Sequence, residues 1–286
     1  RARGLARRVS ALVRRPESLA ECQALGIANE VTLDPAEAVA GADLVVLCTP
    51  ISGMAGLAKR TLSDLKPGTV ITDVGSTKQQ LVAELTPLCA GAGARFVGSH
   101  PMAGSEQTGP SAARADLFDG TVCVVTPTSD TAANALATVN DFWAGLGSRP
   151  VVMPADTHDR LVARCSHLPH LLASALAGRV LDPAHGEQQA QLCATGFRDM
   201  TRLAAGSPVM WRDIVGSNRD ERVIARSTQR EIMPASSRPI TSTAKAPAMS
   251  IMCNRNHSQI CSGIVSAEMV WSVVMQQWPS CRCQED

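Results

Sequence analysis

Apolar and polar positions divide the first half of the chain into two kinds of segment. Short, nearly continuous apolar runs, such as Leu44–Leu47 and Val122–Val125, are typical of strands buried on both faces of a parallel sheet. The regular alternation of strands and helices predicts an α/β fold with a doubly wound sheet. The predicted strands are Val9–Val13, Asp43–Cys48, Val70–Asp73, Arg95–Val97, Val122–Thr126 and Pro150–Met153. The predicted helices between them are Glu17–Leu25, Pro35–Ala40, Met54–Leu65, Gln79–Cys89 and residues 131–146.

The pattern changes after Asp156. Residues 157–180 and 187–205 have the apolar spacing of helices, interrupted at Pro169 and Gly196, and they predict an all-helical second domain. From about residue 221 the periodicity fades and Ser, Thr, Pro and Met become frequent. We therefore expect a first domain over residues 1–154, a helical domain over 155–220, and an atypical, disordered tail over 221–286.

Composition and charge narrow the classes of partner. A formal net charge of +1 gives no support for nucleic acid or an anionic membrane as a partner. No apolar run reaches the roughly 18–20 residues that span a bilayer, so no membrane partner is expected. The cysteines before residue 220 lie mostly in apolar segments, which predicts buried thiols in the reducing cytoplasm. The tail cysteines fit no zinc spacing, and we expect no metal; they are Cys253, Cys261, Cys281 and Cys283.

Polar residues follow three of the predicted strands directly. Thr49 and Pro50 follow the second strand, Ser76 lies just beyond the third, and His100 lies beyond the fourth. Ligands bind at the carboxyl ends of parallel strands, so we expect these residues to meet at one edge of the sheet. His100 is predicted to lie in a glycine-rich loop, and a histidine there has the acidity needed for a general base. A single strand-end motif of this kind is often only a turn.

Several collinear motifs resemble the prephenate/arogenate dehydrogenase family of tyrosine biosynthesis. The resemblance covers roughly residues 5–220 and implies a Rossmann-like domain followed by an all-α domain. Its motifs are Leu44–Pro50, Thr72–Lys78, Gly98–Glu106, Leu117–Phe118, His158–Asp159, Ser166–His170, Gly196–Arg202 and Pro208–Asp213.

The family resemblance implies a specific reaction, the oxidative decarboxylation of a cyclohexadienol. Prephenate would yield 4-hydroxyphenylpyruvate, or arogenate would yield tyrosine, with hydride transfer to a nicotinamide cofactor. The implied catalytic residues are His100, as the base, and Ser76, which would also contact the nicotinamide. The implied substrate-binding residues are Arg198, His167, His170 and Glu106. His167 could equally be a helix-packing histidine.

The cofactor site is expected to be incomplete. The chain has no G-x-G-x-x-G turn, and the resemblance implies that the first strand and the phosphate loop precede residue 1. Thr49, Pro50 and Ser76 are assigned to the cofactor. At the end of the first predicted strand, where NAD-binding relatives carry an acid, the chain has Val13 followed by Arg14 and Arg15. These two arginines favour NADP over NAD, although they could also be solvated surface residues.

The sequence leaves three alternatives open. The chain could be a dehydrogenase of a 3-hydroxy acid, although such enzymes use a lysine as the acid/base group. It could also be an inactive fragment, because the phosphate loop is lacking and the tail resembles out-of-frame or unrelated sequence. The choice between prephenate and arogenate is open as well. The family implies a homodimer of long helices after Asp213, and the altered tail argues against dimerisation here.

Overall fold

The structure is a computed structural model. It describes residues 3–104, 109–181 and 186–218, together with the backbone of Ser272–Gln276. Glu106, the four tail cysteines and the rest of the tail lie outside the described residues.

Alternating strands and helices form the first part of the chain, as the apolar pattern predicts. Its elements are β1 (Arg8–Leu12), α1 (Pro16–Ala24), β2 (Glu30–Thr32), α2 (Pro35–Val39), β3 (Leu44–Leu47), α3 (Ile51–Thr61), β4 (Val70–Asp73), α4 (Gln79–Gly91) and β5 (Arg95–Phe96). The sequence analysis missed β2, because a three-residue edge strand with a polar first residue carries little apolar signal.

Helices begin where the local sequence favours it. Proline starts both α1 and α2, where its missing N–H costs nothing. The carboxylate of Asp34 also caps α2 by accepting the backbone N–H of Ala36 at 2.9 Å.

The main sheet has six strands in the order β2-β1-β9-β3-β4-β5, where β9 is Ser272–Gln276. Strands β1 and β2, β3 and β4, and β4 and β5 pair in parallel, whereas β9 pairs antiparallel with both β1 and β3. This five-residue segment therefore differs from the expectation of a disordered tail. Its Ser-Val-Val-Met-Gln sequence suits a strand, and it pairs the facing edges of β1 and β3, which would otherwise leave backbone groups unbonded.

Both faces of the sheet are buried. Within β3, Val45 and Leu47 pack into one apolar cluster with α3 and α4. Leu44 and Val46 point to the opposite face and pack into a second cluster. Side chains alternate between the faces of a strand, so a strand covered on both sides needs a continuous apolar run. The prediction that Leu44–Leu47 forms a strand buried on both faces is therefore confirmed.

A second, three-stranded sheet follows. It comprises β6 (Gly98–Pro101), β7 (Val122–Thr126) and β8 (Arg149–Val152), with α5 (Ala133–Gly145) between the last two. Strand β7 is buried as predicted, but it pairs antiparallel with β6 and parallel with β8 instead of joining the main sheet.

His100 lies on β6, where it pairs with Val124, and not in the predicted loop. The residues Gly98 and Pro101 suggested a loop, but Gly98 serves a different purpose. A Cβ there would lie 2.6 Å from Thr126 Oγ1 and 2.8 Å from Val82 Cγ2, so only glycine allows β6 to pack so closely.

The remaining described residues are helical up to Asn218. The helices are α6 (Ala155–Val162), α7 (Leu168–Val180), α8 (Gly186–Leu192), α9 (Thr195–Thr201) and α10 (Pro208–Ser217). A π-helical turn over Ala163–His167 joins α6 to α7. The interruption of the helix therefore lies in this turn, just before Pro169, and not at Pro169 as predicted. Among the described residues, no helix has the length and apolarity to cross a membrane.

Candidate active site

A buried ion pair fixes the end of β4 against β6. Lys78 and Asp73 are both fully buried, and the ammonium of Lys78 bonds to the carboxylate of Asp73. Lys78 Nζ also donates to the carbonyl oxygen of Ser99 at 2.9 Å. Asp73 in turn accepts the backbone N–H groups of Gly75 at 2.8 Å and Ser99 at 3.0 Å. These bonds hold the β4–α4 loop, which contains Ser76, beside the strand that carries His100.

A hydrogen-bonded row of side chains runs from His100 into the protein. His100 Nδ1 lies 2.9 Å from His158 Nε2, and His158 Nδ1 lies 2.7 Å from Asp159 Oδ1. The two carboxylate oxygens of Asp159 accept the backbone N–H groups of Lys78 at 2.7 Å and Gln79 at 2.8 Å, at the start of α4. His158 and Asp159 are each only 1% exposed, so water does not compete for these bonds.

The helical part supplies a second histidine pair. His167 and His170 are both buried, on the π-helical turn and on α7. Trp211 of α10 stacks on His170 with ring centroids 3.5 Å apart and meets His167 edge-on at 5.9 Å. A Cβ at Gly206 would lie 2.7 Å from Trp211 Nε1 and 2.9 Å from His170 Cε1, so the stack requires glycine there.

Polar contacts tie α10 to the first domain. Ser52 Oγ donates to Asp213 Oδ2 at 2.5 Å, and the hydroxyls of Thr77 and Ser217 lie 2.9 Å apart. Just after α10, Asn218 Nδ2 donates to the carbonyl oxygen of Asp159 at 3.0 Å. The helical part is therefore held against the edge of the sheet where β3 and β4 end.

Burial favours the neutral form of three histidines in this region, His100, His167 and His170. Desolvation, followed by the neighbouring His158, Lys78 and His167, lowers the pKa of His100 well below 6.5. Desolvation likewise lowers the pKa of His167 to about 4, and it lowers the pKa of His170. At neutral pH these three imidazoles are uncharged, and each can accept a proton through one ring nitrogen and donate through the other.

The predicted cofactor residues lie along the carboxyl edge of the main sheet. Thr49 and Pro50 connect β3 to α3, and Arg14 and Arg15 connect β1 to α1. Thr49 is only 5% exposed, and its hydroxyl has no hydrogen-bond partner among the described residues. A buried hydroxyl without a partner is costly unless a bound polar group completes it, so this edge fits one end of a dinucleotide.

The part of the predicted cofactor site that would bind the pyrophosphate differs from the edge near Thr49. In doubly wound sheets a glycine-rich turn after the central strand binds that group. Here the central position belongs to β9, which runs antiparallel to its neighbours. No glycine-rich turn follows a strand at this position within the part of the chain that the structure describes.

The structure brings some of the predicted site residues together and leaves another apart. Ser99, the neighbour of His100 on β6, donates its backbone N–H to Asp73, which precedes the Ser76 loop. His167 is near enough to His100 to influence its pKa. Arg198, by contrast, is exposed on α9, and its guanidinium makes no hydrogen bond or ion pair with the other site residues that are described. Helix α9 packs on α7, the helix that carries His170.

Sequence reasoning assigned no role to four residues of this region: Asp73, Lys78, His158 and Asp159. All four occur in the motifs Thr72–Lys78 and His158–Asp159. Charged residues are rarely buried without a partner. The position of Asp73 and Lys78 next to an apolar strand could therefore have predicted their ion pair. The pairing of His158 with His100 depends on how α6 crosses the start of α4, which no local pattern reveals.

Family comparisons agree with this combination of fold and site. Residues 1–152 match the nucleotide-binding domain of prephenate dehydrogenase, and residues 154–234 match its dimerization domain. The chain belongs to the prephenate dehydrogenase family. The second match extends to residue 234, beyond the point where the sequence analysis ended the family resemblance. The predicted family and the Rossmann-like fold with a helical second part are confirmed.

Individual relatives show the same relationship. The chain is 37% identical to cyclohexadienyl dehydrogenase of Zymomonas mobilis over 198 residues, which cover 68% of this chain and 67% of the relative. It is also 37% identical over 179 residues to prephenate dehydrogenase of Lactococcus lactis, where the match covers 62% of this chain and only 49% of the relative. The chain therefore spans between half and two thirds of the length of these two relatives.

Solved structures give a matching result. Prephenate dehydrogenase of Aquifex aeolicus, in complex with hydroxyphenyl propionate and NAD+, superposes with a TM-score of 0.74 at 29% identity, covering 81% of each chain. Arogenate dehydrogenase of Synechocystis superposes with a TM-score of 0.64 at 26% identity, covering 78% of this chain and 80% of that chain. These relatives support the predicted class, a nicotinamide-dependent oxidoreductase of tyrosine biosynthesis.

Proposed function

We propose that this chain carries the catalytic site for oxidative decarboxylation of a prephenate-type cyclohexadienol. The observation that carries the proposal is the position of a neutral, partly buried His100 beside the Ser76 loop, at the edge of the sheet that the helical part covers. The relatives named above, which act on prephenate, arogenate or cyclohexadienyl compounds, support it. The lysine-dependent 3-hydroxy acid alternative has less support, because the ammonium of Lys78 is fully buried in a pair with Asp73.

In the proposed reaction His100 removes the proton of the substrate hydroxyl. When bound, a nicotinamide supplies the acceptor for the hydride that leaves the same ring carbon. The resulting dienone loses its carboxylate as CO2, and aromatisation makes this step favourable. Ser76 would orient the hydroxyl, and Thr49 and Pro50 would hold the nicotinamide end of the cofactor.

The remaining substrate contacts are assigned by chemistry. Arg198 presents a planar guanidinium that suits bidentate pairing with a substrate carboxylate. This assignment requires α9, where Arg198 is exposed, to face the substrate. The Nδ1 atom of His167 lies 3.4 Å from the amide of Asn218, which leaves the other ring nitrogen of His167 to donate to an anionic substrate. His170, held by Trp211, would contact the substrate side chain.

The test is turnover by the whole chain, followed through the fluorescence of the reduced nicotinamide with prephenate and with arogenate in parallel. His100→Asn should lower kcat on the order of 10²–10⁴-fold, the usual contribution of a general base. Lys66→Met is a matched surface control, because Lys66 lies before β4, at the opposite edge of the sheet. Near-normal turnover of His100→Asn would remove this residue from the mechanism. If the unaltered chain turns over neither substrate, the inactive-fragment alternative holds.

We also propose NADP as the preferred cofactor. Arg14 and Arg15 lie at the carboxyl end of β1, the position from which a 2′-phosphate or a ribose hydroxyl is normally recognised. Two guanidinium groups there suit the phosphate. Arg14→Ala/Arg15→Ala should raise the KM for NADP and leave that for NAD within about twofold. A lower KM for NAD than for NADP in the unaltered chain would overturn this preference.

We further propose that the helical part forms a homodimer with a second copy of the chain. Large apolar side chains are exposed on consecutive helices, including Leu192 at 84%, Met200 at 65% and Val209 at 63%. Exposed apolar patches of this kind mark interaction surfaces. The match of residues 154–234 to a dimerization domain supports a second copy of the chain as the occupant.

A further inference from the structure

The Nδ1 atom of His100, the base in the proposed reaction, faces neither solvent nor a carboxylate. It bonds to a second histidine, His158, which is buried and contacts Asp159. The hydrogen bonds of these three residues determine which ring nitrogen of each histidine carries a proton.

The proton positions follow from Asp159. Both of its carboxylate oxygens accept backbone N–H groups at the start of α4, so the carboxylate acts only as an acceptor. His158 must therefore donate Nδ1–H to Asp159 Oδ1. In the tautomer that carries only this proton, Nε2 of His158 has a free lone pair. His100 must then donate its Nδ1–H to His158 Nε2. In this tautomer the free lone pair of His100 is on Nε2, the nitrogen left for the substrate.

We propose that His158 and Asp159 form a proton relay that selects the reactive tautomer of His100 and takes up the proton that His100 removes from the substrate. This proposal rests on the proposed function. His158 and Asp159 do not touch the substrate, so they are positioning residues that act through His100.

The relay step balances without any additional reactant. The O–H bond of the substrate breaks and an Nε2–H bond forms on His100, while the Nδ1–H bond of His100 breaks and an Nε2–H bond forms on His158. His100 ends neutral, and His158 becomes an imidazolium that faces the Asp159 carboxylate. The two electrons of the substrate C–H bond leave as hydride to the nicotinamide acceptor of the proposed function.

The surrounding charges explain why the positive charge is better placed on His158 than on His100. The ammonium of Lys78, at the start of α4, faces His100 and disfavours a cation there, and a proton on His167 of the π-helical turn would add to the same effect. Asp73 is already occupied by Lys78. The carboxylate of Asp159 contacts the histidine pair directly, and it does so through His158. A charge stabilised at that position makes His100 a more effective base than its own burial allows.

The first experiment examines the resting tautomer without cofactor or substrate. In the whole chain labelled with 15N-histidine, NMR should show His100 with a proton on Nδ1 and a bare Nε2, and His158 likewise. His100→Asn and His158→Gln provide the assignments. A proton on Nε2 of His100 at neutral pH would overturn the proposal, and because the measurement needs no turnover, that result would leave the proposed function intact.

The second experiment separates tautomer selection from proton uptake. The side-chain oxygen of His158→Gln can still accept the Nδ1–H of His100, but it cannot take the proton, whereas His158→Ala removes both functions. We expect kcat to fall about 10–100-fold in His158→Gln and about 10²–10⁴-fold in His158→Ala, with KM within about threefold. Added imidazole should restore part of the turnover of His158→Ala.

Two kinetic signatures distinguish a relay from simple structural support. In mixtures of H2O and D2O, kcat of the unaltered chain should curve with deuterium fraction, because two protons move, and kcat of His158→Gln should vary linearly. The acid limb of the kcat profile should also move to higher pH in His158→Gln, because one of the groups that lower the pKa of His100 is gone. Loss of activity in His100→Asn but equal, linear behaviour in the other two proteins would refute the relay alone.

Discussion

The buried pair of Lys78 and Asp73 allows a quantitative test of what holds the site together. Lys78→Met keeps most of the volume of the side chain but removes its charge. Asp73 then keeps its bonds from the N–H groups of Gly75 and Ser99 but loses its cation in a fully buried position. Leaving one partner of a buried pair uncompensated typically costs about 3–5 kcal/mol.

The control is Lys59→Met. Lys59 forms an ion pair with Glu84 at 3.1 Å, and both side chains are largely exposed, so its loss should cost at most about 1 kcal/mol. Unfolding in urea, followed by circular dichroism, measures both variants. With a slope of about 2–3 kcal/mol per molar, Lys78→Met should unfold at a urea concentration about 1–2.5 M lower than the unaltered chain. Equal losses for the two variants would show that the buried pair contributes no more than a surface pair, and would refute this account.

The helical part offers three further tests, of a buried histidine, an aromatic stack and an exposed apolar surface. The pKa of His167 falls from 6.5 in the unfolded chain to about 4 in the folded one, so the unfolded chain binds the extra proton. The free energy of unfolding should therefore fall by about 3 kcal/mol between pH 6.5 and pH 4, and His167→Gln should remove that part of the pH dependence in urea titrations. Gly206→Ala should displace Trp211 from its stack and raise KM for the substrate in the turnover assay, and an unchanged KM would contradict the role of the stack. Met200→Glu should yield monomers in sedimentation experiments, whereas Leu25→Glu, on an exposed position of the first domain, should not.

Much of the fold was predictable from sequence because the central strands are covered on both faces. Runs such as Leu44–Leu47 carry that information locally. The edge strand Glu30–Thr32 was missed because only one neighbour and partial burial select it. The tail strand Ser272–Gln276 was missed because its partners, β1 and β3, are remote in sequence.

The candidate site was predictable to a smaller extent. Strand order brings residues at strand ends to one edge, so His100 and the Ser76 loop could be placed near each other. The contact between His100 and His158 depends on the crossing of α6 and α4, a tertiary feature with no periodic signal. The same is true of the stack of Trp211 on His170, which depends on close packing at Gly206.

The position of β9 has a consequence for how the chain folds. Val9 pairs with Met275, so the middle of the main sheet joins segments from nearly opposite ends of the described chain. Contacts between remote segments slow folding, because a long loop must close before they form. During synthesis on the ribosome, β1 and β3 would emerge long before β9 and would each expose an open edge, the kind of surface that promotes aggregation. A chaperone that shields strand edges would therefore matter more for this chain than for one whose central strand is made first.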